Sequence, residues 1–281
     1  MAEILKGKPV ADAMIARMRE TADALRNNGI EPTLCVVRVG ERADDLSYEK
    51  GVKKRCAEVG VACRQVILPE DVSQADFEAA FEMVNRDPAV HGILLFRPLP
   101  KHLDAERIRK LFDPKKDIDG WTDGSLAGVY ANTDLGFAPC TAQAVIELLR
   151  FYGIDPKGKR ATVIGRSLVI GRPVSMLLMH ANATVTTCHT RTVDVPAVAR
   201  EADILVCAAG VMKSITEEYT NPDQIVVDVG IHWDEAKGGL SGDVDFDRVA
   251  PHVKAITPVP GGVGGITTCV LLDHVLKAAQ R

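Results

Sequence analysis

The order of apolar and polar positions divides the chain into short buried runs and longer amphipathic ones. Residues 9–28, PVADAMIARMRETADALRNN, carry apolar side chains at helical intervals, with Pro9 near the start and Gly29 just past the end; the spacing predicts a helix. TLCVVRVG (33–40) is a β-branched apolar run of strand length. DDLSYEKGVKKRCAEVG (44–60) predicts a helix closed by Gly60, and VACRQVIL (61–68) a second strand. SQADFEAAFEMVNRD (73–87) predicts a helix that Ser73 caps, and VHGILLF (90–96) a third strand. Strands alternating with helices imply a parallel sheet covered on both faces.

The regularity then breaks. RPLPKHLD (97–104) and FDPKKDIDGWTDGSLAGVYANTDLGFAPCT (112–141) are rich in Pro, Gly and Asp and read as loop. Long loops inside compact enzymes commonly carry function, and this one holds Trp121, Phe137 and several acids. A helix over 141–153 opens a second alternating series, with strands RATVIG (160–165), ATVTTCH (183–189), ADILVCAA (202–209) and QIVVDVG (224–230). A strand, a glycine-rich loop and a helix (255–281) close the chain. Two βα series joined by a loop-rich stretch predict an α/β protein of two domains with a cleft between them, where ligands are favoured.

Bulk properties narrow the partners. With 46% hydrophobic and 26% charged residues in 281, a packed core is affordable and disorder is not expected. The formal net charge of −4 argues against nucleic acid or an anionic membrane surface as partner. No apolar run approaches the roughly 20 residues a membrane-spanning helix needs, and the first residues lack a basic stretch followed by an apolar core. A cytoplasmic protein is expected. The seven cysteines are scattered without a C-x-x-C pair and are expected to be buried free thiols. The seven histidines show no metal-ligand spacing, so no metal site is expected.

The stretch VIGRSLVIGRP (163–173) carries the most chemistry. A strand ends at Gly165 and a helix begins near Gly171, with Pro173 in its first turn. Such a turn offers backbone N–H groups and the positive end of a helix to an anion, and Arg166 and Arg172 add cationic donors. The next strand ends at HTRT (189–192), about where NAD-binding folds place an acid on the ribose 2′-hydroxyl. Here stand Thr190 and Arg191, a hydroxyl and a guanidinium, which suit a 2′-phosphate. NADP is therefore the expected cofactor, with NAD as the alternative.

Taken together, VIGRSLVIGRPVSMLL, ATVTTCHTRT, KKDIDG, APCTAQAV and TPVPGGVG resemble the methylenetetrahydrofolate dehydrogenase/cyclohydrolase family in its bacterial bifunctional form, end to end and in order. The resemblance implies a folate-binding catalytic domain over 1–140, completed by the C-terminal helix (about 265–281). It also implies a Rossmann-like NAD(P)-binding domain over 141–264, a homodimer, and tetrahydrofolate derivatives as partners in one-carbon metabolism. It implies that Tyr48 stacks beside the pterin or aminobenzoyl part and that Asp119 hydrogen-bonds the amino-pyrimidine edge. The PVPGGVG loop, with Pro260, Gly261 and Gly262, would pack against the folate. Gly165, Arg166, Ser167, Thr190 and Ile231 would hold the dinucleotide.

The sequence departs from the family where the cyclohydrolase machinery belongs. The family carries Tyr-x-x-x-Lys on one helix, and the residue four after Tyr48 here is Val52. The family's Gln before the PLP turn is Phe96. At about 100° per residue, Lys50, Lys53 and Lys54 lie well off the Tyr48 face unless Gly51 distorts the helix. Arg97 follows Phe96 and points to the opposite face of a continuing strand. Gly265 stands where the family usually has Pro. The expected activity is an NADP-linked dehydrogenase with weak or absent cyclohydrolase activity. The alternatives are the full bifunctional enzyme, with Lys53 or Arg97 recruited, and a non-catalytic folate- or nucleotide-binding protein.

Overall fold

The computed structural model describes residues 2–281. In chain order the elements are β1 (Glu3–Ile4), α1 (Gly7–Asn27), β2 (Thr33–Val39), α2 (Ala43–Val59), β3 (Ala62–Leu68), α3 (Gln74–Arg86), β4 (Gly92–Leu95), α4 (Ala105–Leu111), α5 (Asp123–Ala131) and α6 (Cys140–Phe151). There follow β5 (Arg160–Ile164), α7 (Gly171–His180), β6 (Thr184–Cys188), α8 (Val195–Arg200), β7 (Ile204–Cys207), β8 (Ile225–Asp228), β9 (His232–Asp234), β10 (Gly239–Ser241), α9 (Phe246–Val249), β11 (Ala255–Ile256) and α10 (Thr267–Ala279). Two compact units result. One comprises Ala13–Cys140 with Thr268–Arg281; the other comprises the chain up to Asp12 with Thr141–Thr267.

The first unit is built on a parallel three-stranded sheet in the order β3-β2-β4, with Leu34 facing Cys63 on one side and Gly92 on the other. The central β2 is buried along its whole length, which is why its sequence is an apolar run apart from Thr33 at its start and Arg38. Val37, Val39, Ile93 and Leu95 pack against Phe77, Phe81 and Val84 of α3 and against Ile108 and Phe112. Ser73 caps α3 as expected, accepting from the Asp76 N–H at 3.1 Å. Gly60, at φ +86°, closes α2 in the left-handed conformation.

The stretch 112–141 is less of a loop than its composition predicts, because α5 lies inside it. Thr122 caps α5, accepting from the Ser125 N–H at 3.1 Å. Gly124 and Gly128 read as helix breakers, yet both serve packing. A Cβ on Gly128 would stand 2.0 Å from the Leu135 carbonyl oxygen, and one on Gly124 would stand 2.4 Å from Pro114. The helix survives its glycines because the chain before it, at Pro114, and the chain after it, at Leu135, lie directly on them.

The second unit holds a six-stranded sheet in the order β1-β11-β8-β7-β5-β6, parallel throughout. The two-residue β1 is too short to be seen in the sequence pattern, and it adds an edge strand beside β11. The antiparallel β9–β10 hairpin was not anticipated either. Strand β5 lies between β6 and β7. The chain therefore leaves β5 to one side and later returns to the other, so the turn after β5 sits at the topological switch point where open α/β sheets bind ligands. No described helix is long and apolar enough to cross a membrane.

Candidate active site

Helix α2 runs unbroken through Gly51 and buries Glu49, Val52, Cys56 and Val59 along one stripe. The helical distortion that would swing a neighbouring lysine onto the Tyr48 face is absent. Lys53 is committed elsewhere, with its Nζ 2.8 Å from Glu49. Glu49 is itself buried, held by Arg38 Nε at 2.8 Å and by Gln65. Against the pull of burial, Lys53 and Arg38 hold the Glu49 carboxyl below its ordinary value.

Tyr48 leaves 44% of its surface open, and its ring centroid lies 5.7 Å from that of Phe96 in a tilted contact. Enclosure of the hydroxyl end pushes its pKa up, and the charge of Asp119 adds to the effect. Val52 is fully buried and Phe96 nearly so. The environment beside the tyrosine is thus apolar at both positions singled out in the sequence.

Asp119 stands on a loop fixed from three directions. The fully buried Asp117 accepts from the N–H groups of Trp121 (3.0 Å) and Thr122 (2.6 Å) and from Ser125 Oγ (2.7 Å). Ring nitrogen Nδ1 of His274, on α10, donates to the Ile118 carbonyl at 2.8 Å, and Phe137 stacks on the imidazole with centroids 4.8 Å apart. Arg97 Nη2 lies 2.9 Å from Asp119 Oδ2. Burial raises the Asp119 pKa, and the Arg97 cation opposes that rise.

His274 makes the loop acid-sensitive. Burial lowers its pKa from 6.5 to about 4, although its bond to Ile118 and the Asp273 and Asp117 charges act the other way. A folded-state value below the unfolded one means stability is present above pH 6.5 and is lost as pH falls toward 4. The gap corresponds to about 3 kcal/mol. Denaturant unfolding at pH 7 and pH 4.5 should show most of that loss. His274→Gln should show a smaller pH dependence from a lower starting stability.

In the six-stranded unit the sequence-predicted cofactor residues gather at one end of the sheet. Gly165, at φ +124°, ends β5; a Cβ there would stand 2.1 Å from the Ala208 carbonyl oxygen. A Cβ on Gly171 would stand 2.2 Å from the Gly165 carbonyl oxygen. Both glycines let the turn close tightly on α7. Ser167 Oγ accepts from the N–H of Ile170 at 3.1 Å, tying the turn to the helix entrance. The N–H groups of residues 166–169 have no protein acceptor among the described residues, so they remain available to an anion. Arg166, Thr190 and Arg191 are exposed, and neither arginine forms an ion pair among the described residues. The Arg191 N–H donates to His189 Nδ1 at 3.1 Å. Ile231, 64% exposed, follows the end of β8. A turn of close-packed glycines, free N–H groups and unpaired guanidiniums fits a phosphorylated dinucleotide.

Pro260, Gly261 and Gly262 belong to this same unit, on the loop after β11, and not to the unit of Tyr48 and Asp119. The Gly261 carbonyl accepts from the Gly7 N–H at 2.7 Å. Two further acids escaped the sequence reading. Asp228 accepts from the N–H groups of Gly230 (2.9 Å), Asp243 (3.1 Å) and Val244 (2.9 Å). Asp243 takes the Gly210 N–H at 2.9 Å and His232 Nε2 at 2.7 Å. They fix the turns after β7 and β8. An acid closing an otherwise apolar strand, as in QIVVDVG, was the available signal. All seven cysteines are free thiols, and among the described residues no cluster of His, Cys, Asp or Glu could hold a metal ion.

Comparison with known proteins adds names to this geometry. Residues 5–119 match the family model described as the catalytic domain of tetrahydrofolate dehydrogenase/cyclohydrolase, and residues 139–281 match its NAD(P)-binding domain. The bifunctional protein FolD of Carboxydothermus hydrogenoformans is 50% identical over 281 residues, covering 100% of this chain and 98% of that protein. Its namesake from Clostridioides difficile is 47% identical over 278 residues, covering 99% and 96%. Among solved structures, the bifunctional FolD of Campylobacter jejuni superimposes with a TM-score of 0.95 at 36% identity, covering 100% of this chain and 99% of that one. The Trypanosoma brucei methylenetetrahydrofolate dehydrogenase-cyclohydrolase, complexed with NADP cofactor and inhibitor, gives 0.90 at 34% identity, covering 100% and 98%.

Proposed function

Because the chain belongs to the tetrahydrofolate dehydrogenase/cyclohydrolase family, we propose that it oxidises 5,10-methylenetetrahydrofolate to 5,10-methenyltetrahydrofolate with NADP, and that hydrolysis of the methenyl product is slow. The observation that carries the first part is the Asp119 carboxylate, fixed on its loop in the unit that also presents Tyr48. The three-stranded unit would hold the folate and the six-stranded unit the dinucleotide. The nicotinamide, when bound, supplies the hydride acceptor. The methylene carbon gives up hydride and the N5–C–N10 bridge takes the positive charge, so no protein acid or base is needed. The chain's task is placement. Asp119 would accept hydrogen bonds from the amino-pyrimidine edge, Tyr48 would lie along the ring system, and Pro260, Gly261 and Gly262 would close on the folate. Gly165, Arg166, Ser167, Thr190, Arg191 and Ile231 would hold the dinucleotide.

The second part rests on Val52 and Phe96 alone, since neither side chain can relay a proton. The bifunctional names of the relatives favour a second reading, in which hydrolysis is retained and 10-formyltetrahydrofolate is the product. Supplying methylenetetrahydrofolate and NADP, then following NADPH and the methenyl chromophore together, separates the readings. Accumulating methenyl product is expected; no NADPH formation would overturn the dehydrogenase assignment. On family grounds the chain would act as a cytoplasmic homodimer, and a monomer mass by sedimentation would refute the dimer.

NADP preference follows from the exposed guanidiniums at the cofactor turn. Arg166→Ala combined with Arg191→Ala should weaken NADP by roughly ten- to a hundredfold, as expected for loss of a charge-assisted contact of about 1.5–3 kcal/mol. NAD, which lacks the 2′-phosphate, should be little affected. Equal turnover of the parent protein with NAD and NADP would sink this idea.

A further inference from the structure

We propose that Arg97 is a positioning residue for Asp119, fixing the orientation and charge of its carboxylate; the inference rests on the folate reading above. Arg97 lies two residues beyond β4. The Phe96 N–H donates to the Val37 carbonyl at 2.9 Å, so the backbone is still tied to β2 where the side chain departs. The guanidinium meets Asp119 Oδ2 at 2.9 Å and covers the Trp121 ring at 4.7 Å from its centroid. Both partners stand on the one loop that Asp117 and His274 immobilise. Arg97 therefore joins the end of the edge strand β4 to the carboxylate, 22 residues along the chain. The bond uses one carboxylate oxygen, and an ionised carboxylate has acceptor sites to spare for a ligand. Side-chain exposures of 28% and 34% leave the pair open on one side.

The groups facing Asp119 come from four places. Arg97 arrives from the end of β4, Asp117 from the same loop, Cys140 from the start of α6 and Tyr48 from α2. Arg97 is the cation among them. Burial and the Asp117 charge favour the protonated acid, and Arg97 opposes both. A protonated Asp119 would present a donor to the N–H groups of a pterin edge and lose the match. Arg97 does not touch the reacting carbon, so its effect would pass entirely through Asp119.

The test compares wild type, Arg97→Leu and Arg97→Lys in steady-state kinetics across pH. Arg97→Leu should lose roughly ten- to a hundredfold in kcat/KM for methylenetetrahydrofolate near neutral pH, the usual worth of a hydrogen bond to a charged group. Its acidic limb should move to higher pH, and KM for NADP should not change. Arg97→Lys should return the limb to its wild-type position while recovering only part of kcat/KM, because the planar fork is lost. An unmoved limb, or wild-type kinetics in Arg97→Leu, would overturn the proposal. Tetrahydrofolate binding, read by Trp121 emission in a Trp233→Phe background, gives a readout independent of turnover. Binding that weakens toward acid at higher pH in Arg97→Leu supports the proposal; identical pH dependence in both proteins overturns it. A wild-type chain that neither turns over nor binds tetrahydrofolate would refute the folate reading itself, a different failure from indifference to Arg97.

Discussion

Asp119→Ala should lower kcat/KM for methylenetetrahydrofolate by about 10²–10³-fold and leave KM for NADP unchanged. The magnitude follows from losing two charge-assisted hydrogen bonds, together about 3–4 kcal/mol, at about 1.4 kcal/mol per tenfold. The cofactor is spared because its proposed contacts all lie in the six-stranded unit. Asp119→Asn should fall between the two, since it keeps one acceptor but turns an N–H toward the substrate's donors. The fold should survive either change. Asp117 and His274 hold the loop without help from Asp119, and Arg97, 28% exposed, can rehydrate when its partner is removed. A half-buried ion pair open to water on one side, as this one is, contributes on the order of 1 kcal/mol to stability. Unchanged kcat/KM with unchanged melting would reduce Asp119 to a turn residue.

What could be read in the chain depended on how local the cause was. The parallel sheets were legible because buried strands such as TLCVVRV and RATVI announce themselves by composition, and intervening helices by period. Helix α5 was not legible. Its two glycines are explained by Leu135 and Pro114, contacts that no local pattern contains. The cofactor turn was found from Gly165 and Gly171, but the reason only glycine fits at Gly165 is the Ala208 carbonyl just past the end of β7. Asp119 was reached through a motif, whereas its bond to Arg97 depends on where β4 ends relative to the loop. The departures at Val52 and Phe96 were visible as identities. Burial adds that neither position is a vacancy waiting for a mobile lysine, because α2 is regular and Lys53 is paired with Glu49.

Val52→Lys together with Phe96→Gln should raise methenyltetrahydrofolate hydrolysis by about 10²–10⁴-fold over the parent chain, the usual worth of a positioned acid–base group. Hydrolysis requires water to attack the carbon between N5 and N10, both of its protons to leave as the formyl carbonyl forms, and the carbon–N5 bond to break as N5 takes up one proton while the other passes to solvent. A lysine four residues after Tyr48 shares its helix face and can serve those transfers. The site is fully buried at present, so the new ammonium would be disfavoured and its pKa depressed, which makes the neutral amine available as a base. Phe96→Gln removes the ring against Tyr48, 5.7 Å away, and replaces it with an amide that can hydrogen-bond the lysine or the attacking water. Either change alone should do less, because two groups serving one proton-transfer event do not contribute additively. Hydride transfer should stay largely intact, since Asp119, Arg97 and the cofactor turn are untouched. The assay is the loss of methenyl absorbance above the uncatalysed rate in the parent, both single variants and the double variant. Robust hydrolysis by the parent would refute the reading and direct attention to Lys53 and Arg97. Lys53→Met and Arg97→Met would then decide between them. Lys53 would have to leave Glu49 to take part, so its removal should also loosen the buried Arg38–Glu49 pair, and a fall in hydrolysis without a fall in stability would point to Arg97 instead.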